Sequence, residues 1–474
     1  MKYLIYILFV LIIISCTNND DDIKINNTNS SVKLNTLPIT EESLSSLILN
    51  GELKLFESNY DEIGFVIDTI PDVSLTKKML ATKSVLQTDN KFRSKITSLT
   101  SNKTLYYNTY AKIGNKIYYG NEIAHKQIND NALIIKSDLI LDTQEKVNEL
   151  ATHNYTSIRQ KGSSSGIYIT GNVYDLKGLT SLKYLNVKTI NIYNTEITNL
   201  EGLNNITGIN TDIRNLTQSI IIYNNHKLKT INNFFNNLED LEFGIHIYQN
   251  KLLETINGFG KPEYLYGYVN ISDNQNLQTI NMLTEAKKAY NLYITNNSNL
   301  TNIKGFEKFD ELSSIEINNN PKLFSDIKFD NLTNCGGIKI NENKNIKKIS
   351  FNNINKLTLF SLENNSNLES ININNLTEVD YLYLINNKIT DLLNFSQLKR
   401  INNYLFINNN QLIKNLDGLN NVSKFEKVII TYNKNLKDFC AIKHIKKTNY
   451  KSLEINNNLY NPSIDDIEEK CKLQ

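Results

Sequence analysis

Tryptophan is absent from the 474-residue chain, and only five histidines and four cysteines are present. The histidines (His125, His153, His226, His246 and His444) stand singly, with no His-Glu-x-x-His pair, and no Cys-x-x-Cys or Cys/His spacing offers a metal site. No metal or other cofactor is therefore expected. No Gly-x-Ser-x-Gly elbow, phosphate-binding loop or dinucleotide fingerprint follows a predicted strand. The acidic pairs Asp465-Asp466 and Glu468-Glu469 suit the polar face of a terminal helix better than acid–base chemistry. Lys161-Gly162-Ser163-Ser164-Ser165-Gly166 reads as a loose loop, not an anion cradle. No catalytic constellation is recognised, and the chain is expected not to be an enzyme. Charge of one sign is lacking too: 51 Lys and Arg oppose 49 Asp and Glu, a net +2. That balance provides no field for gripping a nucleic acid or an anionic membrane, so no nucleic-acid partner is expected.

Long apolar runs are scarce. Leu4 to Ile14 follows Lys2 and is shorter than the roughly 20 residues that a membrane span needs. It ends at Ile13-Ile14-Ser15-Cys16, which resembles the bacterial lipobox, in which the cysteine is lipidated and becomes the mature N-terminus. Residues 1–16 are then a lipoprotein signal peptide. Thr17-Asn18-Asn19-Asp20-Asp21-Asp22 resembles the acidic surface-export signal of Bacteroidota lipoproteins, and a plain solvated tether is the alternative. Thr17, in place of a retaining Asp, implies an outer-membrane destination with the lipid as membrane anchor. Cys440 and Cys471 bracket the C-terminal end. A secreted context permits a disulfide between them, with two separate thiols as the other reading.

Asparagine and isoleucine are what the chain has in abundance, often as Asn-Asn beside Ile. Residues 17–36 are polar and read as a flexible tether. Residues 37–128 carry short β-rich runs separated by turns, such as Leu47 to Leu53, Ile63-Gly64-Phe65-Val66-Ile67 and Leu105 to Ala111, which predict a small all-β sandwich. With Asn50-Gly51, Gly64-Phe65-Val66 and Leu99 to Ala111 followed by Tyr119-Gly120, this segment resembles a fibronectin type III module. Leu105, with Tyr106 next to it, occupies the family's corner-tyrosine position.

From Leu133 onward an internal repeat dominates: apolar-x-apolar-x-x-Asn-x-x-Leu-x-x-Ile. One copy reads Val269-Asn270-Ile271-Ser272-Asp273-Asn274-Gln275-Asn276-Leu277-Gln278-Thr279-Ile280. The marker asparagine recurs at Asn225, Asn250, Asn274, Asn297, Asn320, Asn343, Asn365, Asn387, Asn410, Asn433 and Asn458, in steps of 22 to 25 residues. Weaker copies precede these at Asn172 and Thr195, and the 30-residue step from Thr195 to Asn225 implies a bulged coil. Two apolar residues flanking a free one make a short strand with one buried face. A single coil cannot bury that face alone, so copies must stack, about 4.8 Å apart, into a parallel sheet. The fold class predicted is mainly β, a parallel β solenoid over residues 133–474 preceded by a small β-sandwich.

Asn199-Leu200-Glu201-Gly202-Leu203, Asn415-Leu416-Asp417-Gly418-Leu419 and the ending Asn435 to Cys440 with Tyr460 to Ile464 resemble receptor L-domain-like leucine-rich repeats of bacterial surface lipoproteins. The resemblance implies that the marker asparagines bond unpaired backbone groups and stack as a structural ladder. It implies no particular ligand. The residue between the two apolar positions, and the one after the second, should project from the outer sheet face. Those positions hold Tyr168, Tyr193, Tyr223, His246, Tyr248, Tyr293, Tyr383 and Phe406, the ligand-binding candidates. Strand propensity alone also accounts for tyrosine there. Tyr223, Tyr248 and Tyr293 are expected to form one strip. The partner expected is an extracellular protein, with a glycan or no specific ligand as alternatives.

Overall fold

The computed structural model describes residues 21–24, 32–42, 47–55, 59–87, 89–96, 103–126, 131–161, 165–209, 219–236, 238, 240–241, 243–259, 262–445 and 450–471. Residues 1–20, and with them Cys16 and the signal segment, lie outside that set. The chain divides into two compact units, Met1–Asp130 and Asn131–Gln474.

In the first unit, Val32–Glu42, Leu47–Leu55 and Lys91–Ile96 form one antiparallel sheet. Thr104–Ile113 and Glu62–Asp68 are central to a second, antiparallel apart from Asp21–Lys24, which pairs in parallel with Lys116–Tyr119. Leu34 and Leu49 from one sheet and Phe65 and Tyr107 from the other share a single core. The period-2 alternation is visible in the burial of Leu47–Leu55, where every inward residue is apolar or Gly51. The tether expectation for 17–36 is corrected in part. Val32 and Leu34 are core residues and Asp21–Lys24 is a strand. The alternation Val32-Lys33-Leu34-Asn35 was hidden by polar neighbours on both sides. Of the neighbouring rings Tyr106 and Tyr107 the second is buried, and its hydroxyl donates to the Leu37 carbonyl (3.1 Å).

The second unit is a parallel β-solenoid. A 16-stranded sheet runs in chain order from Leu139–Thr143 to Ser452–Asn456. Its strands pair in register, so Ile192, Ile222, Ile247, Ile271, Ile294, Ile317 and Ile340 fall on one buried row. All are fully excluded from solvent, each contributing roughly 1.5–3 kcal/mol by transfer out of water. In several repeats the last isoleucine lies in a further strand on the return path, as in Thr230–Asn232, Thr255–Gly258, Thr279–Met282 and Asn302–Lys304. Between those two sheet rows every coil contributes its Leu and Ile to one continuous core.

Three glycines allow the coils to close. Gly202, Gly305 and Gly418 adopt φ of 109°, 100° and 104°, and a Cβ on any of them would come within 2.0 Å of a carbonyl of the preceding coil. No larger residue fits. At the C-terminal end, helix Ile464–Lys470 starts at a Ser463–Asp466 capping box. The Cys440–Cys471 disulfide ties its end to the last coil, with Cα atoms 5.4 Å apart. At the other end a helix, Gln144–His153, is capped by Thr143 and leaves through left-handed Asn154.

Candidate binding surface on the repeat sheet

Each coil turns off the sheet through two residues with opposite tasks. The first takes the left-handed conformation: Asn194, Asn224, Gln249, Asp273, Asn296, Asn319, Glu342, Asn364, Asn386, Asn409, Tyr432 and Asn457 all have φ between 53° and 60°. Asparagine tolerates that region better than other residues with a Cβ. The second is the marker, whose amide points inward. Asn320 Nδ2 donates to the carbonyls of Ile294 (2.9 Å) and Asn318 (3.0 Å), while its Oδ1 accepts from the main-chain N–H of Asn297 (3.1 Å). Asn225, Asn250, Asn274, Asn297 and Asn410 repeat the pattern with the next marker along. The ladder is interrupted at Asn387, whose Oδ1 has no partner. There the next apolar residue, Ile389, follows two residues on instead of three. A second, exposed amide row joins the left-handed residues, for example Asn319 to Asn296 (2.9 Å) and Asn224 to Asn194 (2.6 Å).

This corner fixes which side chains leave the sheet. All eight candidates are half-buried and stand on the outer face, but in two different rows. Tyr168, His246, Tyr293, Tyr383 and Phe406 occupy the position between the apolar pair. Tyr193, Tyr223 and Tyr248 follow the pair and are direct register partners. Their rings stack with centroids 5.0 Å apart at each step and planes within 4° and 10°. The strip expected from Tyr223, Tyr248 and Tyr293 is therefore corrected. Tyr193 belongs to the column, whereas Tyr293 sits one row over, aligned with Asn270 and Glu316. The two rows differ already in the repeat, since Tyr293 stands four residues before its marker Asn297 and Tyr223 and Tyr248 two before theirs.

A second aromatic group lies further along the sheet. Tyr383 and Phe406 meet edge to face at 6.4 Å. Tyr381 and Tyr404, one row earlier and not singled out in the sequence, pack against Tyr383 at 6.5 and 5.6 Å. Tyr268 and Tyr290 were missed similarly; their centroids are 6.0 Å apart. A search for aromatics in the position before the apolar pair would have found Tyr268, Tyr381 and Tyr404, whereas Tyr290 stands one residue earlier still. Between the two groups the face is polar, with Glu316 near Lys339 Nζ (3.5 Å) and Asn318 accepting from the Asn341 N–H.

Burial raises the pKa of Tyr223, with smaller contributions from Tyr248 and Tyr193, and burial alone raises that of Tyr248. Their hydroxyls stay protonated and able to donate. Burial lowers the pKa of His246, which favours its neutral form. Among the described residues no group of His, Cys, Asp or Glu side chains could hold a metal ion. No helix there is long and apolar enough to cross a membrane. Comparison with protein-family models, curated proteins and solved structures finds no match to this chain.

Proposed function

We propose that this chain is a lipid-anchored outer-membrane surface protein of the leucine-rich-repeat, receptor L-domain-like kind, with an N-terminal fibronectin type III-like module. It binds an extracellular protein through the outer face of its repeat sheet and is not an enzyme. The observation that carries the binding reading is the Tyr193–Tyr223–Tyr248 column. Stacked rings use their faces on each other and offer outward a line of edges and hydroxyls. Such amphipathic groups, held rigid by their neighbours, lose little entropy on binding and act as anchors at protein interfaces.

Full-length protein displayed to panels of extracellular proteins and glycans identifies the ligand class. The triple variant Tyr193→Ala, Tyr223→Ala, Tyr248→Ala is then expected to lose at least about tenfold in affinity for the protein captured. The variant should stay folded, losing the two ring stacks at roughly 0.5–1.5 kcal/mol each. Undiminished capture by the triple variant refutes this face as the binding surface. The anchor has its own test. Cys16→Ala should abolish labelling by a fatty-acid probe and release the protein from the membrane fraction, since stable attachment needs two or more acyl chains. A variant that stays membrane-bound removes the lipoprotein reading.

A further inference from the structure

The exposed row of left-handed residues ends at a glycine. Its amides donate toward the preceding coil, Asn319 to Asn296 (2.9 Å), Asn296 to Asp273 (3.1 Å) and Asn224 to Asn194 (2.6 Å). By the same geometry Asn194 Nδ2 would reach the left-handed residue one coil earlier. That residue is Gly171, with φ of 68°, and it has no side chain to accept the bond. A Cβ there would stand 2.7 Å from the Asp142 carbonyl oxygen. Asn194 Oδ1 is taken by Asn224, but its Nδ2 makes no hydrogen bond among the described residues. Beside it lies a hollow of about 460 Å³, lined by Gly171, Asn172, Tyr174, Asn194, Glu196 and Lys227. That volume is in the range of small-molecule sites.

The hollow is open, for five of these residues are exposed and Glu196 is half-buried. The coil that carries Gly171 is irregular in a second way. Val173 takes the fully buried place and Asn172 stays outside the core. The Asn172 amide makes no hydrogen bond among the described residues. Tyr174 is 56% exposed, and its hydroxyl is likewise unbonded. Its main chain is fixed, with the N–H donating to Gln144 Oε1 (3.0 Å). Glu196 and Lys227 satisfy each other, with Oε2 and Nζ 2.8 Å apart.

These groups restrict the guest. Two amides and a phenol hydroxyl need partners that donate and accept, so an apolar side chain would cover them unsatisfied. An anion would meet the Glu196 carboxylate, and a cation the Lys227 ammonium. A neutral ring with several hydroxyls and one apolar face meets every demand. Its hydroxyls pair with the amides while its carbon-bound hydrogens lie against the tyrosine ring.

We propose that this hollow is a subsite for one pyranose ring of a neutral glycan, its hydroxyls bonded by Asn194 Nδ2 and the Asn172 amide and one face covered by Tyr174. The site lies at the turn that leaves the sheet, not on the outer face, so it goes beyond the protein-binding reading and does not depend on it.

The test uses full-length protein in detergent and saturation-transfer NMR with the methyl pyranosides of glucose, galactose, mannose and N-acetylglucosamine. At least one is expected to bind at roughly millimolar Kd. Tyr174→Ala and Asn194→Asp should each weaken it at least about tenfold. The aspartate keeps the oxygen that accepts from Asn224, as Asp273 does for Asn296, and removes only the donor. Asn194→Gly, which removes the amide without adding charge, should weaken binding equally. Phe324→Ala, an exposed ring several coils away, should leave it unchanged, and melting temperatures establish that the variants are folded. The proposal is overturned if no pyranoside binds, or if binding survives Tyr174→Ala or Asn194→Asp. Tighter binding of methyl glucuronide or glucosaminide than of every neutral pyranoside overturns it too, as does N-acetylasparaginamide binding where every pyranoside fails.

Discussion

At the scale of single residues, the frequent Asn-Asn pairs are explained by one turn that needs two different properties of the same side chain. The marker asparagine was legible because its period is regular and its place after an apolar pair puts it at a strand end. The left-handed residue before it was not, since Gln249, Asp273, Glu342 and Tyr432 also occupy that position and blur the pattern. The two roles predict different tolerances. Asn320→Ala deletes an amide with bonds to two carbonyls and one N–H, two of the three buried, and should cost about 1–3 kcal/mol. Asn319→Val forces a β-branched residue to φ of 53° and should cost roughly 1–2 kcal/mol. Asn319→Gly should be nearly neutral, whereas Asn320→Gly should be as harmful as Asn320→Ala. Denaturant midpoints of the four variants check this. Equal effects of glycine at both positions would refute the division of labour.

At the scale of elements, what was readable followed the strength of the local period. The sheet strands repeat an apolar pair at fixed distance from a marker, so stacking predicts their register. The return strands were not foreseen because three-residue elements such as Lys348–Ser350 or Ser370–Asn372 are too short to show alternation. Helix Gln144–His153 was also missed. Val147 and Leu150 mark its inner side among polar residues, and a ten-residue helix carries too few apolar positions to stand out. The terminal helix was readable from its acidic pairs, because negative charge near a helix N-terminus is favourable. The binding candidates split along the same line. Which residues face outward follows from the strand period alone. Which of them touch one another depends on the place each holds relative to its marker, and the Tyr193–Tyr223 pair is joined even across the 30-residue step.

At the scale of the whole molecule, the repeat unit is an array in which each coil contacts its neighbours, so its stability should behave as a sum of coil and interface contributions. The marker ladder and the sheet register both repeat with the coil. Removing one complete period should therefore join equivalent positions and leave a shorter solenoid. Deleting Asn343–Asn364, a 22-residue step between markers Asn343 and Asn365, brings the strand Asn334–Asn341 against Glu378–Ile385. Ile338 and Ile340 then meet Leu382 and Leu384, buried apolar residues in the same places as Phe360 and Leu362. The ladder reconnects through Asn320 and Asn365. Deleting about half as many residues from the same point instead puts outward side chains on the inner face. The full-period deletion should keep the β circular-dichroism spectrum and a single cooperative melt, with the midpoint lowered by only a few degrees. The half-period deletion should unfold the coils around it and become sensitive to protease there. The aromatic column lies several coils away, so capture of the extracellular partner should survive the full-period deletion. If both deletions prove equally damaging, the coils are not interchangeable units, and long-range coupling rather than nearest-neighbour stacking holds the solenoid together.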